Sequence, residues 1–262
     1  MNSIAHLGSY ALEGWREARY LVGIIWQVLV LGVKPRCWTR AVRTEFYRQM
    51  LSTGTGSIGF VFYVACAVGI SFVAQALVWL QIIGQSASLG PLFVTVLIRE
   101  AVPLLTNLLV IARSGTALTT ELANMKITGE VRVLDAQGID PFAYLVMPRV
   151  LCLTVSVFFL SVLFVVVSFA SGYLGSLLLS SNISDPRTFM DSILFAVRPL
   201  DLINFLAKSV LPALFTGAIC CAGGLSAGVS LTEVPQATKR VLGRSVRVLF
   251  GITVLVSLLT YM

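Results

Sequence analysis

Charge is what this sequence has least of. Lys, Arg, Asp and Glu together make up 12% of its 262 residues, about half the share that soluble chains carry. Histidine occurs once, as His6 near the start, so neither a Ser-His-Asp set nor an H-E-x-x-H metal motif can be assembled. The five cysteines, Cys37, Cys66, Cys152, Cys220 and Cys221, contain no C-x-x-C pair. An odd count without ligand spacing argues against a disulfide framework and against a zinc site. Small hydrophobes packed between helices are the expected role. No G-x-x-x-x-G-K-[ST] phosphate loop occurs, which excludes ATP binding through a P-loop. The expectation is a chain with no metal, no cofactor and no enzymatic activity of its own.

What the sequence has in abundance is apolar surface. Hydrophobic residues make up 57% and the mean hydropathy is +0.90. Charge-free runs cover 49–98 and 150–184. These features predict an all-α, polytopic membrane protein. The net charge of +7 could suit nucleic acid, but the basic residues lie between the apolar runs. That placement fits anionic lipid head groups and excludes a nucleic-acid partner.

Five spans follow from the runs, near 57–83, 92–112, 142–179, 202–229 and 246–259. The first two are split at Gly84 to Pro91. Before them, 21–33 is apolar but short for a span, flanked by Arg19 and Lys34 and studded in and around it with Trp15, Tyr20, Trp26 and Trp38. That pattern predicts an interfacial helix, followed by a basic segment from Lys34 to Arg48. The domains read as 1–50, interfacial helix and basic cytoplasmic segment, and 51–262, a five-helix membrane domain. A polar loop containing a short helix is expected over 181–200. Arg16 to Arg48, the connection holding Arg113, Lys126, Arg132 and Arg149, and a loop holding Lys239, Arg240, Arg244 and Arg247 are rich in positive charge. The positive-inside rule then sets the N-terminus inside and the C-terminus outside.

One stretch organises the rest. Between Ile98 and Arg149 the sequence places Arg99-Glu100 inside apolar residues, with Pro103 close behind. A polar helical segment follows over 116–137, then Gly138-Ile139-Asp140-Pro141, a stop-and-restart signal. Ionisable residues at membrane depth are functional candidates, because each is costly there alone. Arg99, Glu100 and Lys208 are such residues, and Asp201 sits at the outer end of the fourth span. Glu100 is expected to face a cavity or to pair with Lys208, with Arg99 reaching the head groups. The alternative is a structural ion pair that fixes helix register.

The pattern R-E-x-x-P-L-x-T at Arg99, A-R-S-G-T-A at Ala112, E-L-x-x-M at Glu121, V-L-x-x-x-G-I-D-P at Val133 and P-R at Pro148, with D-L-I-N-F-L-A-K-S at Asp201, resembles the MlaE (YrbE) permease family. The resemblance runs from about Arg43 onward. It implies the permease subunit, located in the bacterial inner membrane, of an ABC transporter that moves phospholipids and serves outer-membrane lipid asymmetry. It further implies a coupling helix over 116–139, in which Glu121, Met125 and Glu130 face a separate ATPase that binds the ATP and Mg. A substrate cavity with Arg99, Glu100, Lys208 and Asp201 is implied as well. The implied partners are a second copy in a homodimer, an MCE-domain periplasmic lipid carrier, a small STAS-type accessory subunit and phospholipid. Two other readings compete: a non-transporting scaffold for such partners, and a proton-coupled secondary carrier. The latter predicts inverted repeats, which the sequence does not show.

Overall fold

The computed structural model describes residues 2–34, 37–83, 93–179, 197–228 and 231–261, and among them there is helix and no strand. In chain order the α-helices are α1 (Asn2–Val33), α2 (Arg40–Met50), α3 (Gly56–Ile83), α4 (Val102–Val110), α5 (Thr116–Ile127), α6 (Glu130–Ala136), α7 (Met147–Leu179), α8 (Pro199–Leu225) and α9 (Val234–Tyr261). Wider π-helical turns join several into longer rods, at Leu51–Thr55, Phe93–Ala101, Ile111–Gly115 and Phe142–Val146. Among the described residues, five rods are long and apolar enough to cross a membrane: Arg40–Ala76, Val94–Ile127, Phe142–Leu177, Pro199–Leu225 and Val234–Thr260. The chain is a multi-pass membrane protein. The loop expected over 181–200 lies outside the described residues as far as 196, as does the break at 84–91.

The rods differ from the sequence expectation at three ends. The first starts at Arg40, so the boundary placed at residue 50 falls inside a continuous helix. The second continues to Ile127 instead of stopping near Ala112. Its 34 residues reach about 50 Å at the helical rise, well beyond a hydrocarbon core of about 30 Å. The fifth begins at Val234, so Lys239 to Arg247 is helix and not a loop. Hydroxyl residues explain the second case. Thr116, Thr119 and Thr120 return their hydroxyls to the carbonyls of Ala112, Gly115 and Thr116, at 2.8, 2.8 and 2.9 Å. Polar side chains satisfied this way do not interrupt a helix. Leu118, Leu122 and Ala123 on the same stretch are buried, so packing carries the helix past the end of its apolar run.

α8 lies at the centre and touches α1, α4, α5, α7 and α9. Small residues allow this. A side chain at Gly217 would crowd Val150, and one at Gly224 would meet Leu122 and the Thr119 carbonyl. α3 and α7 form the most extensive pairing. Gly69 lies directly on Ser168 and Ser171, Gly175 lies on Ile70, and the Ser168 hydroxyl donates to the Ala65 carbonyl at 3.2 Å. Small residues and hydroxyl bonds are how helices approach closely where there is no water to drive them together. On α1, Leu21, Ile24, Ile25 and Val28 form one buried face, while Tyr20 and Trp26 stay exposed. That face packs on α7 and α8.

Cross-contacts set the level of each rod in the bundle. Thr120 meets Thr238, and Lys126 donates to the Ala227 carbonyl. Lys126 and Arg240 therefore share one end. Asp201, Glu100 and Ser257 share the other.

Candidate substrate site and coupling end

The far end is built around two prolines. Pro103 and Pro212 lack the amide that would bond the carbonyl four residues earlier, which strands the carbonyls of Arg99 and Lys208. The Lys208 ammonium donates to the Arg99 carbonyl at 3.2 Å. The Asn107 amide donates to the Lys208 carbonyl at 3.3 Å, and to those of Pro103 and Ser209 at 2.8 and 3.5 Å. Each helix is completed by a side chain from the other, and Lys208 and Asn107 are both buried.

The charges then sort themselves by direction. Arg99 holds Asp201 with both ends of its fork, at 2.7 and 3.0 Å. Asp201 also accepts from the backbone amide of Arg198 at 2.9 Å. It is thus an end-of-helix carboxylate, favoured by the positive pole of α8, and an anchor for Arg99 as well. Arg99, expected to reach the head groups, is held by Asp201 at the N-terminal end of α8. Its neighbour Glu100 takes Lys208 at 2.5 Å and accepts from the Ser257 hydroxyl of α9 at 3.2 Å. The two cation–carboxylate pairs meet α8 seven residues apart, on one face of the helix. The Lys208 side chain is fully enclosed, whereas Glu100 is 43% exposed. The pair is sealed on its cationic side and open on its anionic side.

The opposite end holds a second cluster that sequence reasoning missed. Arg149, at the start of α7, is completely buried. Its guanidinium pairs with Glu121 of α5 at 2.8 Å and Glu45 of α2 at 3.3 Å. It also donates to the Leu145 carbonyl at 3.3 Å and lies 3.6 Å from the Met125 sulfur. Gln49 bridges the two carboxylates. Three membrane rods are tied together through one side chain. The signal was present in the sequence, since Arg149 opens a long charge-free run, but its partners lie 28 and 104 positions away.

This changes the expected coupling helix. Glu121 and Met125 belong to the end of the second membrane rod and contact Arg149, with the Glu121 side chain still 45% exposed. Glu130 alone of the three opens a separate exposed helix, α6, none of whose residues is buried. α6 is set off by Gly129 at φ 84° and Gly138 at φ 75°, left-handed positions that suit glycine. Beyond it the Ile139 amide bonds the Leu134 carbonyl and the Gly138 amide bonds that of Asp135, both at 3.0 Å. These two bonds make a Schellman stop. Asp140 then accepts from the Phe142 amide at 3.0 Å and restarts the third rod.

A family model described as Permease MlaE matches residues 46–259. The chain is 28% identical over 193 residues to Protein TRIGALACTOSYLDIACYLGLYCEROL 1, chloroplastic, of Arabidopsis thaliana, covering 73% of this chain and 54% of that protein. It is 28% identical over 192 residues to a probable ABC transporter permease protein of Rickettsia felis, covering 73% of each. A probable ABC transporter permease protein of Synechocystis is 27% identical over 213 residues, 80% of each. The chain thus spans about half the length of the Arabidopsis relative and most of the two bacterial ones.

Proposed function

Because the chain belongs to the MlaE permease family, we propose that it is the membrane subunit of an ABC transporter. Its substrate is phospholipid, moved between a bacterial inner membrane and an MCE-domain carrier. The observation that carries this reading is the Glu100–Lys208 pair, an enclosed ammonium neutralised by a carboxylate that is open to the outside. A phospholipid phosphate competing for that ammonium would meet a charge already held at membrane depth. Exposed apolar residues of α9, such as Val254 and Leu258, suit its acyl chains.

The two bacterial relatives are named as ABC transporter permeases, which supports an ATPase partner holding ATP and Mg in its own chain. α6 is its docking element in this reading. The Arabidopsis relative carries a diacylglycerol lipid in its name, which supports lipid as cargo. A second copy of the chain closes the open side of Glu100 and makes a homodimer, and a STAS-type accessory subunit completes the cytoplasmic side. The basic end faces the cytoplasm, with the N-terminus inside and the C-terminus outside.

The test is reconstitution in vesicles with the co-purifying ATPase and carrier. ATP-dependent transfer of labelled phospholipid to the carrier is expected. Transfer that persists without ATP, driven by a proton gradient, would replace this reading with a secondary carrier. Stable complexes with no transfer at all would leave a scaffold.

A further inference from the structure

The first rod turns one face sideways, away from the Arg149 cluster. Tyr47, Met50, Leu51, Gly54 and Ile58 recur at helical spacing and form one wall of an apolar groove of about 500 Å³. Phe159, Leu160 and Leu163 of α7 form the other wall. Small residues meet at its floor, where a side-chain carbon on Gly54 would stand 4.0 Å from the Ser156 hydroxyl. Tyr47, Leu51, Ile58 and Phe159 are exposed along the rim, so the groove opens laterally, toward the acyl region of a bilayer. From Tyr47 to Ile58 it runs about 16 Å at the helical rise. Its volume spread over that length leaves a slot roughly 6 Å across, which takes a hydrocarbon chain but not a helix of about 10–12 Å with its side chains.

Charge is added at one mouth only. Arg43 and Arg40 continue the same face, four and seven residues before Tyr47, and both are exposed. Glu45, the one acid of α2, points to the opposite face and meets Arg149 there. The first rod is 37 residues long, about 55 Å at the helical rise. Its charged first turns therefore stand outside a hydrocarbon core of about 30 Å. Tyr47 lies between the arginines and the apolar walls, at the head-group level that tyrosine favours.

We propose that this groove seats one acyl chain of an anionic phospholipid from the leaflet at the Arg149 end, with the headgroup phosphate held by Arg40 and Arg43. The walls are α2 with its π-helical turn and α7, the elements that Arg149 ties together through Glu45. Lipid and ion pair thus clamp one joint from its two faces. The site includes neither Glu100 nor Lys208, so it stands apart from the transport reading.

The experiment uses the full chain in phosphatidylcholine nanodiscs doped with phosphatidylglycerol that carries a photoactivatable diazirine on one acyl chain. Cross-linked peptides are mapped by mass spectrometry. Labelling at the groove is read relative to labelling at Leu174 and Leu177, exposed residues at the other end of α7. Groove labelling is expected to exceed that from a phosphatidylcholine probe with the same chain. R40Q and R43Q should each lower it about fivefold, the effect of one basic residue near an anionic surface. R40K/R43K should retain most of it. Gly54→Leu, which fills the floor, should lower groove labelling by both probes. The arginine variants change exposed residues, so they test the proposal even where Gly54→Leu fails to fold. Equal groove labelling by the two probes, or no change in either Gln variant, overturns the proposal. Groove labelling that falls as the dimer fraction rises gives the face to a second copy and overturns it as well.

Discussion

The Asn107 amide donates to the backbone carbonyl of Lys208, the carbonyl that Pro212 leaves without a donor. Asn107 is buried, on a helix that carries Pro103 in its first turn. Asn107→Leu keeps the volume and removes the donor, leaving the Lys208 carbonyl of α8 short of a partner. Stranded buried polar groups cost about 1–3 kcal/mol. The expected outcome is a clearly lower midpoint of thermal unfolding in detergent. Asn107→Asp, which loses the donor and adds a charge, should be worse. A midpoint equal to wild type in Asn107→Leu would show that the helix closes the gap itself.

Arg149 is the second place where stability concentrates. Arg149→Met leaves the carboxylates of Glu45 and Glu121 facing each other around Gln49. Removing one partner of a buried pair costs about 3–5 kcal/mol, but Glu121 is 45% exposed and can be hydrated, so the lower end applies. Glu121→Lys should cost more, because it sets two cations together. Expression and unfolding midpoint should fall in the order wild type, Arg149→Met, Glu121→Lys. Equal midpoints for all three would mean that the cluster does not hold the rods together.

α6 should behave in the opposite way. With no buried residue, its surface changes belong in the range of about ±0.5 kcal/mol. Glu130→Lys and Val133→Asp are therefore expected to leave folding intact while weakening ATPase association and its stimulation. The comparison with Glu121→Lys is informative, since loss there comes through misfolding. Full ATPase binding in Val133→Asp, whose side chain is 54% exposed, would take α6 out of the docking surface.

The number of rods and their order were legible because charge-free runs and basic clusters act over a whole span. The rod ends were not, since hydroxyls such as those of Thr116 and Thr119 bond backward and let a helix outlast its apolar stretch. Gly138 and Asp140 announced their stop and restart, a local effect that needs no tertiary knowledge. Arg149 announced only that it was costly. Its partners depend on how α2 and α5 pack, which no spacing in the chain encodes. Of the far-end charges, the Glu100–Lys208 pair was one of two arrangements the residues allowed. The hold of Arg99 on Asp201 went unread, because Asp201 already had a sufficient local role at its helix start.

Orientation can be checked with reporters. The segment carrying Lys239 to Arg247 is helical, so an insertion there would break α9; the turn at Ser226 to Gly228 is the better site. A reporter at that turn is expected to be cytoplasmic, and one after Met262 periplasmic, because the basic end stays inside. A reporter fused after Met262 and active only in the cytoplasm would reverse the assignment or change the number of crossings.

The last prediction concerns the Glu100–Lys208 pair, where structural and transport roles can be separated by their asymmetry. Lys208 is enclosed and Glu100 is 43% exposed, so deleting the acid strands the base, while deleting the base leaves an acid that water can reach. Glu100→Gln should therefore lower the unfolding midpoint more than Lys208→Met. Arg99 and Asp201 remain paired in both variants and hold the helix ends in register. If the pair also handles lipid, each single variant should slow transfer in reconstituted vesicles by at least about tenfold, or 1.4 kcal/mol of barrier. The double variant Glu100→Gln/Lys208→Met should lose less than the sum, since contacting residues couple by about 0.5–3 kcal/mol. A purely structural pair gives a different pattern: the double variant recovers both stability and transfer to near wild type. A double variant that is stable but slow at transfer ties the charges to the lipid, and one that is stable and fully active removes them from the mechanism.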